Sequence, residues 1–514
     1  MSLYTRGNAR RSVFDTVRFR VVSQVATATS YVVLVRGIPT DDFGILSLLY
    51  AFIPAIGTVA SLGLVDVLRR YQPDYLRAGK PMAAAWLVRT VAYWRLTTNI
   101  VVLGAILVSW DYIAPIFHLT AHRLAFAEFA GIILLYFQST VMQLALGAHM
   151  LHRYAIGSTA VFAVLKLVLY AAFSYAGNLT LETTILTDTV AYGVSFLVMR
   201  VAYQRHCMTA EAKVPYRPER EERKRMLRYG LLNNFDEVGV LLMYTTLDNF
   251  FLAAFLNTTA VGIYSFYSRL RQMVNNALPV FFFANIVQPM LFSVPFEEAD
   301  RKMPAYFSFL VNMGLLLQWP TLVFSFAYHR ELVEFVFAGK FIEDSWLLPV
   351  IMVFGFLNTI SEPVYLIAQY RERAGVVLLS KVFLVYNVLA MAVLVPTLGI
   401  YGAALAAGSA QLFKNLFIWW YVRDTAVWIN ARASLGIGVP LWGATAAICI
   451  GLKAFVGGPA IVQMILGACV IGAALLVHLR TQAITQADRD ILSAVLPARA
   501  APLLRRLGLS PSHA

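Results

Sequence analysis

The sequence predicts an all-α integral membrane protein of about 14 transmembrane helices. They form two parallel-repeat six-helix lobes followed by two extra C-terminal helices. Three observations predict this. The 514-residue chain is 59% hydrophobic, only 14% charged and has a mean hydropathy of +0.66, which lies outside the soluble range. The pattern around Phe43-Gly44-Ile45-Leu46-Ser47 returns at Val261-Gly262-Ile263-Tyr264-Ser265, a shift of about 218 residues, so one unit of six spans occurs twice. Finally, Lys and Arg crowd into alternate loops, as the positive-inside rule requires.

A span needs about 20 mostly apolar residues. Such runs fall near 16–36, 43–65, 83–107, 124–148, 155–177, 183–203, 229–255, 261–290, 306–327, 347–368, 376–395, 400–421, 434–456 and 459–479. They are apolar on all faces and too long for barrel strands, so they read as helices. Arg6, Arg10, Arg11, Arg18 and Arg20 precede span 1. Arg69, Arg70, Arg77, Lys80 and Arg89 follow span 2, and the run from Arg205 to Arg228 follows span 6. The opposite loops hold little more than Arg36, Arg123, Arg330 and Lys340. Both termini are therefore expected in the cytoplasm. The organisation expected is an N-lobe over 1–204, a basic cytoplasmic linker over 205–228 with Pro215 and Pro218, and a C-lobe over 229–422. The added spans lie within 434–480, and a tail covers 481–514. An even number of spans per repeat gives both lobes the same orientation, and their meeting forms a cavity at bilayer depth.

Span 1 carries Gln24, Thr27 and Tyr31 on one face. Span 2 carries Ser47, Tyr50, Pro54, Thr58 and Ser61 at spacings that share a face. The repeat shift gives span 8 a matching stripe of Ser265, Ser268, Gln272, Asn276 and Pro279. Polar stripes avoid lipid and face another helix or water. Interhelical hydrogen bonding without a ligand explains them as well as a lumen does. Pro54, Pro279 and Pro289 free backbone groups and permit bending, or mark static kinks. Span 7 carries Asn233, Glu237, Tyr244 and Asp248 on one face, with Asp236 beside them; Asp236, Glu237 and Asp248 are candidates for ion coupling. Asp236 and Glu237 also fit a place at the cytoplasmic interface.

Cations inside spans carry most information. Arg95, Lys166, Arg269, Arg271, Lys381 and Lys414 all lie within apolar runs, where each costs about 2.5–3.5 kcal/mol on insertion scales. They must face a wet cavity, pair with acids or snorkel. Arg269 sits on the stripe between Ser265 and Gln272, and Arg271 points elsewhere, about 200° around the helix. Lys381 and Lys414 lie near span ends, and Lys453 reads as snorkelling. An electropositive cavity attracts an anion such as a diphosphate, for which the guanidinium fork is suited. The candidate cavity residues are Arg269, Gln272, Asn276, Ser265, Arg95, Lys166, Tyr50 and Thr58.

Other chemistry is poorly represented. The net charge of +14 is explained by the loops, and no basic soluble domain is present to hold nucleic acid. Three cysteines make no disulfide framework; Cys449 and Cys469 read as small apolar fillers within spans. His149 and His152 are spaced i, i+3 without a nearby carboxylate, a poor metal site. No Walker-type phosphate loop occurs, so no cofactor is expected. Glu331, Glu334, Glu343 and Asp344 form the acidic cluster outside and read as solvated.

Asp42-Phe43-Gly44 with Ser47, Leu62-Gly63-Leu64 and Arg69-Arg70-Tyr71 resemble the start of Wzx-type polysaccharide flippases. So do Asp248-Asn249-Phe250-Phe251-Leu252 before Val261-Gly262-Ile263-Tyr264-Ser265, and Leu398-Gly399-Ile400-Tyr401-Gly402-Ala403-Ala404. These belong to the multidrug/oligosaccharidyl-lipid/polysaccharide exporter superfamily, and the likeness covers nearly the whole chain. It implies alternating access and transfer of a lipid-linked oligosaccharide across the bacterial inner membrane, with no enzymatic step. The partners implied are the lipid-linked glycan, the bilayer, and a glycan polymerase with chain-length machinery. Related lipid II flippases place arginines in the central cavity, and Arg269 matches that placement. Span 1 has no arginine before Arg36 and span 2 none before Arg69, a departure from the lipid II pattern. Two other readings stand beside this one: a cation-coupled drug exporter of the same superfamily, which has about twelve spans and acids for organic cations, and a membrane glycosyltransferase or glycan polymerase, which needs a clustered acid and base at the membrane face.

Overall fold

In lipid a backbone polar group finds no water, so an apolar run closes its own hydrogen bonds as a helix. The computed structural model describes residues 6–241, 245–277, 294, 296–423, 432–481 and 484–495, and the described residues are helical almost throughout. The chain forms two compact units, Met1–Gly262 and Ile263–Ala514.

The first unit holds α1 (Arg6–Gly37), α2 (Thr40–Ser61), α3 (Leu64–Arg77), α4 (Pro81–Val108), α5 (Trp110–Ile113), α6 (Arg123–Ala148), α7 (His152–Tyr175), α8 (Leu181–His206), α9 (Arg220–Leu241) and α10 (Thr245–Phe255). α11 (Thr258–Ala277) begins in it and continues into the second unit. Within the first unit α1 packs along α7, α6 along α8, and α7 against α8. The second unit continues with α12 (Ala299–Phe337), α13 (Leu347–Ser361), α14 (Pro363–Tyr370), α15 (Ala374–Leu379), α16 (Val382–Tyr421), α17 (Arg432–Val456), α18 (Ala460–Arg480) and α19 (Gln486–Val495).

Among the described residues, ten stretches are long and apolar enough to cross a membrane. One of them, Gly375–Tyr421, is 47 residues long, about 70 Å of helix against a hydrocarbon core of about 30 Å. It breaks at Gly399, where φ is 60° and ψ −136°, three residues after Pro396. The expected spans 11 and 12 are therefore both present within it. The expected spans 1 and 7 coincide with α1 and with α9 plus α10, and α11 covers the described part of span 8.

The segment after span 2 differs from the loop that its charges suggested. It forms the amphipathic helix α3, with Val65, Leu68, Gln72 and Tyr75 buried and Arg69, Arg70 and Arg77 exposed. Its apolar face joins Val88 and Val91 of α4, Val141 and Met142 of α6, and Met199 of α8 in one core. The arginines pair with Asp66 and Asp74 on the same helix, at 2.6–3.0 Å; exposed pairs of this kind contribute only about 0.3–0.5 kcal/mol each. Burial holds this helix in place instead. Tyr75 donates to Glu222 of α9 at 2.6 Å. Cys207, beside the same core, is buried, and burial pushes its thiol up to about 12, which leaves it unreactive near neutrality.

The turn from α2 into α3 depends on glycine. Leu62 and Gly63 both have positive φ, 46° and 67°. Gly63 donates its N–H to Asn234 Oδ1 of α9 at 3.3 Å, and a Cβ on it would stand 1.7 Å from the Gly230 carbonyl oxygen. The bare backbone is what lets α9 approach the end of α2. At the other end of α2, Gly44 lies against the Thr258 carbonyl, and Thr259 donates to Asp41 at 2.8 Å.

In the second unit, α12 runs 39 residues with a non-helical turn at Tyr328. Trp319 and Tyr328 of α12, Phe356 of α13, Trp442 and Cys449 of α17, and Met464 of α18 share a core, so the two added spans pack on α12. Lys453, expected to snorkel, has partners within the protein. It pairs with Glu331 at 2.5 Å and donates to the Ala327 carbonyl at 3.3 Å. Glu331 is accordingly buried, not solvated: a partner on α17 was available, and pairing offsets the loss of water.

Gly79 also has a φ of +67°, yet nothing lies within 4 Å of a Cβ there. Gly79→Ala should therefore show only the left-handed backbone strain, about 1–2 kcal/mol. Gly63→Ala adds the collision with α9 and should lower the melting temperature of the purified protein clearly further. Equal shifts for the two variants would contradict the close approach of α9.

Candidate functional site

The first unit contains a polar cluster at the meeting of α2, α7 and α8. Two features set its register. Asp42, in the first turn of α2, accepts from the Leu181 N–H at the start of α8 at 3.2 Å. The start of α8 is also closed by a capping box, in which the Thr180 and Thr183 side chains each bond the other's backbone N–H. From that level, eight residues along α2 reach Tyr50 and seven along α8 reach Asp188, about 10–12 Å of rise in each. On α7, Lys166 and Tyr170 are spaced i, i+4 and share the face that meets them.

Asp188 is fully buried, and three side chains donate to it. Lys166 Nζ lies 2.8 Å from Oδ1 and 3.0 Å from Oδ2. Tyr170 Oη donates to Oδ1 at 2.8 Å and Tyr50 Oη to Oδ2. Lys166 lies 3.4 Å from Tyr50 Oη, and the rings of Tyr50, Phe162 and Tyr170 surround its ammonium at 5.1–5.7 Å. Hydrogen bonds to a charged group are the strong ones, and cation–π contacts add to them in a desolvated site. The Lys166 side chain keeps 17% of its exposure, whereas Asp188 has none.

Tyr50 and Lys166 are thus brought together as candidates, but around an acid that sequence reasoning missed. Asp188 lay within the predicted span 6 and could have been found by the argument applied to Asp236 and Glu237. The side chains of those two lie outside the described residues. Asp248 of α10 is buried.

Arg95 lies elsewhere. It is 5% exposed on α4, donates to Ser61 Oγ at 3.3 Å and stacks its guanidinium 4.5 Å above the Phe137 ring. Ser61 is eleven residues beyond Tyr50, about 16 Å along α2, so Arg95 and Lys166 stand at different depths. The polar stripe of α2 resolves into two kinds of residue. Tyr50 and Ser61 reach other helices, whereas Ser47 and Thr58 bond their own backbone at Phe43 and Pro54, at 2.7 and 3.0 Å.

On α11, Ser265 and Gln272 are half-buried, while Arg269 and Asn276 are exposed. Arg269 donates to Gln272 at 3.2 Å. Arg271 turns away and is half-buried, with its Cδ 4.0 Å from where a Gly355 Cβ would stand on α13. Pro279 lies outside the described residues. A second polar group sits where α13 breaks into α14. Asn415 of α16 donates to Asn358 and Ser361, both at 2.9 Å, and Asn358 donates to Glu362 at 3.3 Å. Among the described residues, no group of three or more His, Cys, Asp and Glu side chains has a metal-holding arrangement.

Residues 10–293 match a family described as polysaccharide biosynthesis protein. No curated protein matches the chain in sequence. Among solved structures, the chain resembles the lipid II flippase MurJ in an inward closed conformation, at a TM-score of 0.65 and 12% identity, over 91% of this chain and 98% of the other. It also resembles an inward-facing multidrug resistance MATE family transporter of the MOP superfamily, at 0.62 and 15% identity, over 80% and 98%. A MATE structure in the bent conformation matches at 0.51 and 17% identity, over 82% and 98%. These likenesses show that the chain shares the fold of these proteins.

Breaking a buried pair by removing one partner typically costs about 3–5 kcal/mol. Lys166→Met should therefore destabilise the detergent-solubilised protein by that order, because it leaves Asp188 without its cation. Lys166→Met with Asp188→Asn should recover much of the loss. Equal thermal stability of Lys166→Met and wild type would contradict the pairing.

Proposed function

Because the chain belongs to the polysaccharide biosynthesis protein family, we propose that it is a flippase. It moves a lipid-diphosphate-linked oligosaccharide across the bacterial inner membrane, from the cytoplasmic to the periplasmic face, by alternating access. The product feeds surface polysaccharide assembly, with a glycan polymerase downstream. Spans 1–6 and 7–12 act as the two halves of the cycle, spans 13 and 14 are an addition, and both termini are cytoplasmic. The observation that carries this reading is that a chain of this family shares its fold with a lipid II flippase over 91% of its length.

The charge of the spans supports the choice of an anion. Arg269 is exposed, with Gln272 beside it and Ser265 and Asn276 on the same helix. A guanidinium recognises diphosphate through paired hydrogen bonds. The headgroup crosses within the protein while the prenyl tail stays in lipid. Outward movement of negative charge is favoured by an inside-negative potential, about 2.3 kcal/mol per charge per 100 mV, so no nucleotide is needed.

A cation-coupled multidrug exporter is the second reading, and the buried acid Asp188 is the observation that favours it. Lys166 already balances that acid, which leaves no net negative charge there for an organic cation. The MATE likeness also covers 80% of this chain against 91% for the flippase, a difference close to the length of the two added spans. A drug-susceptibility assay in an expressing strain separates the two readings.

Arg269→Ala should reduce surface glycan about tenfold or more in cells lacking the native copy, since a hydrogen bond to a charged group contributes about 1.5–3 kcal/mol. Arg269→Lys should recover part of the loss. Undiminished glycan with Arg269→Ala removes this residue from the transport step.

A further inference from the structure

We propose that Lys166 and Asp188 form a proton-linked anion switch: a phosphate that draws the Lys166 ammonium away leaves Asp188 to take up a proton, so that anion capture and proton uptake are one event. The proposal rests on the reading of the substrate as a lipid-linked diphosphate.

In the structure the two Asp188 oxygens receive four contacts from donors, two from Lys166 and one each from Tyr50 and Tyr170. Both carboxyl oxygens are thus occupied by donors, and Lys166 is held back. Lys166 is the member of the pair with a way out. Its side chain keeps 17% exposure, and an ammonium on four methylenes re-aims readily. Tyr170 is fully buried, and its rigid ring cannot follow.

The groups facing Asp188 are Tyr50 from α2, Lys166 and Tyr170 from α7, and Tyr192 on its own helix, whose ring packs against Tyr136 of α6. Among the described residues, Lys166 is the cation paired with it. If Lys166 turns to a phosphate oxygen, a carboxylate remains among phenols in a desolvated site. A buried charge whose partner has been removed is costly. The acid takes a proton from water entering the place that the ammonium left. One O–H bond forms on Asp188, and that hydroxyl can donate to a tyrosine oxygen. By linkage, a proton already on Asp188 frees Lys166 and tightens anion binding equally.

The pair is not demanded by packing. Carrying the repeat shift of 218 residues onto the second copy sends Lys166 to Leu384 and Asp188 to Ala406, both buried. The residues beside these two, Phe383, Val385, Leu405 and Ala407, are apolar as well. At the two matching positions the second copy thus carries no charged residue.

The test uses the full-length protein in lipid nanodiscs, with a short-chain prenyl diphosphate as probe. In weakly buffered solution, binding to wild type should draw in about one more proton than binding to Asp188→Asn. Wild-type affinity should rise as pH falls, by up to about tenfold per pH unit, while the affinity of Asp188→Asn stays flatter by that factor. Independently of any probe, Lys166→Gln should show the infrared carbonyl stretch of a protonated carboxylic acid, absent from wild type and from Lys166→Gln with Asp188→Asn. Equal proton counts for wild type and Asp188→Asn overturn the switch, and so does Lys166→Gln without the band. Where Asp188→Asn does not fold, wild type that binds the probe with no proton uptake overturns the switch. If the band appears but no form binds the probe, the diphosphate reading fails while the proton linkage between Lys166 and Asp188 holds.

Discussion

A carboxyl group with no access to water is accommodated inside a lipid-embedded bundle only if hydrogen-bonding partners replace its hydration. Asp188 meets that condition with one ammonium and two phenols drawn from two neighbouring helices. The requirement reaches well beyond one residue. It sets the facing of α7, whose Lys166 and Tyr170 must lie one turn apart toward α8. It also sets the depth of α2, whose Tyr50 must arrive at the level of Asp188. The Asp42 contact to the start of α8 and the Thr180–Thr183 capping box fix that level from the helix ends. The same rule explains Lys453 and Glu331 in the second unit, where one cation and one acid settle on each other.

Buried polar groups are satisfied differently at different places. At one level the first unit relies on charge: Lys166 with Asp188, and at another Arg95 against Ser61 and Phe137. Near its helix break the second unit relies on neutral amides, Asn415 with Asn358 and Ser361, with Glu362 at the edge. Neutral networks hold helices together with little dependence on pH. A buried ion pair, by contrast, depends on both charges staying in place. The sequence repeat and this difference in chemistry are compatible: the copies share helical pattern and the Gly44/Gly262 position, while the residues at the level of Asp188 have diverged.

Glycine has a comparable role at the ends of α2. Gly63 and Gly44 allow backbone to meet backbone, with Gly230 at one end and Thr258 and Gly262 at the other. Such contacts involve no long side chains, so a modest shift of the helix separates them.

The sequence by itself determined the helical membrane fold, the approximate number of spans, the repeat and the alternation of charged loops. Hydropathy and the absence of water in lipid leave a long apolar run no other conformation, so these features are local. It also singled out Lys166, Arg95 and Tyr50 as residues in need of partners, because charge and hydroxyl are conspicuous in an apolar run. Which partner each found was not local. Asp188 is 22 residues from Lys166 and 138 from Tyr50, and only the packing of α2, α7 and α8 brings them to one depth. The helix α3 escaped notice for a related reason: its mean polarity is that of a loop, and its buried face has meaning only against α4, α6 and α8. Pairing, depth and burial are properties of helices beside one another, and tertiary structure alone decides them.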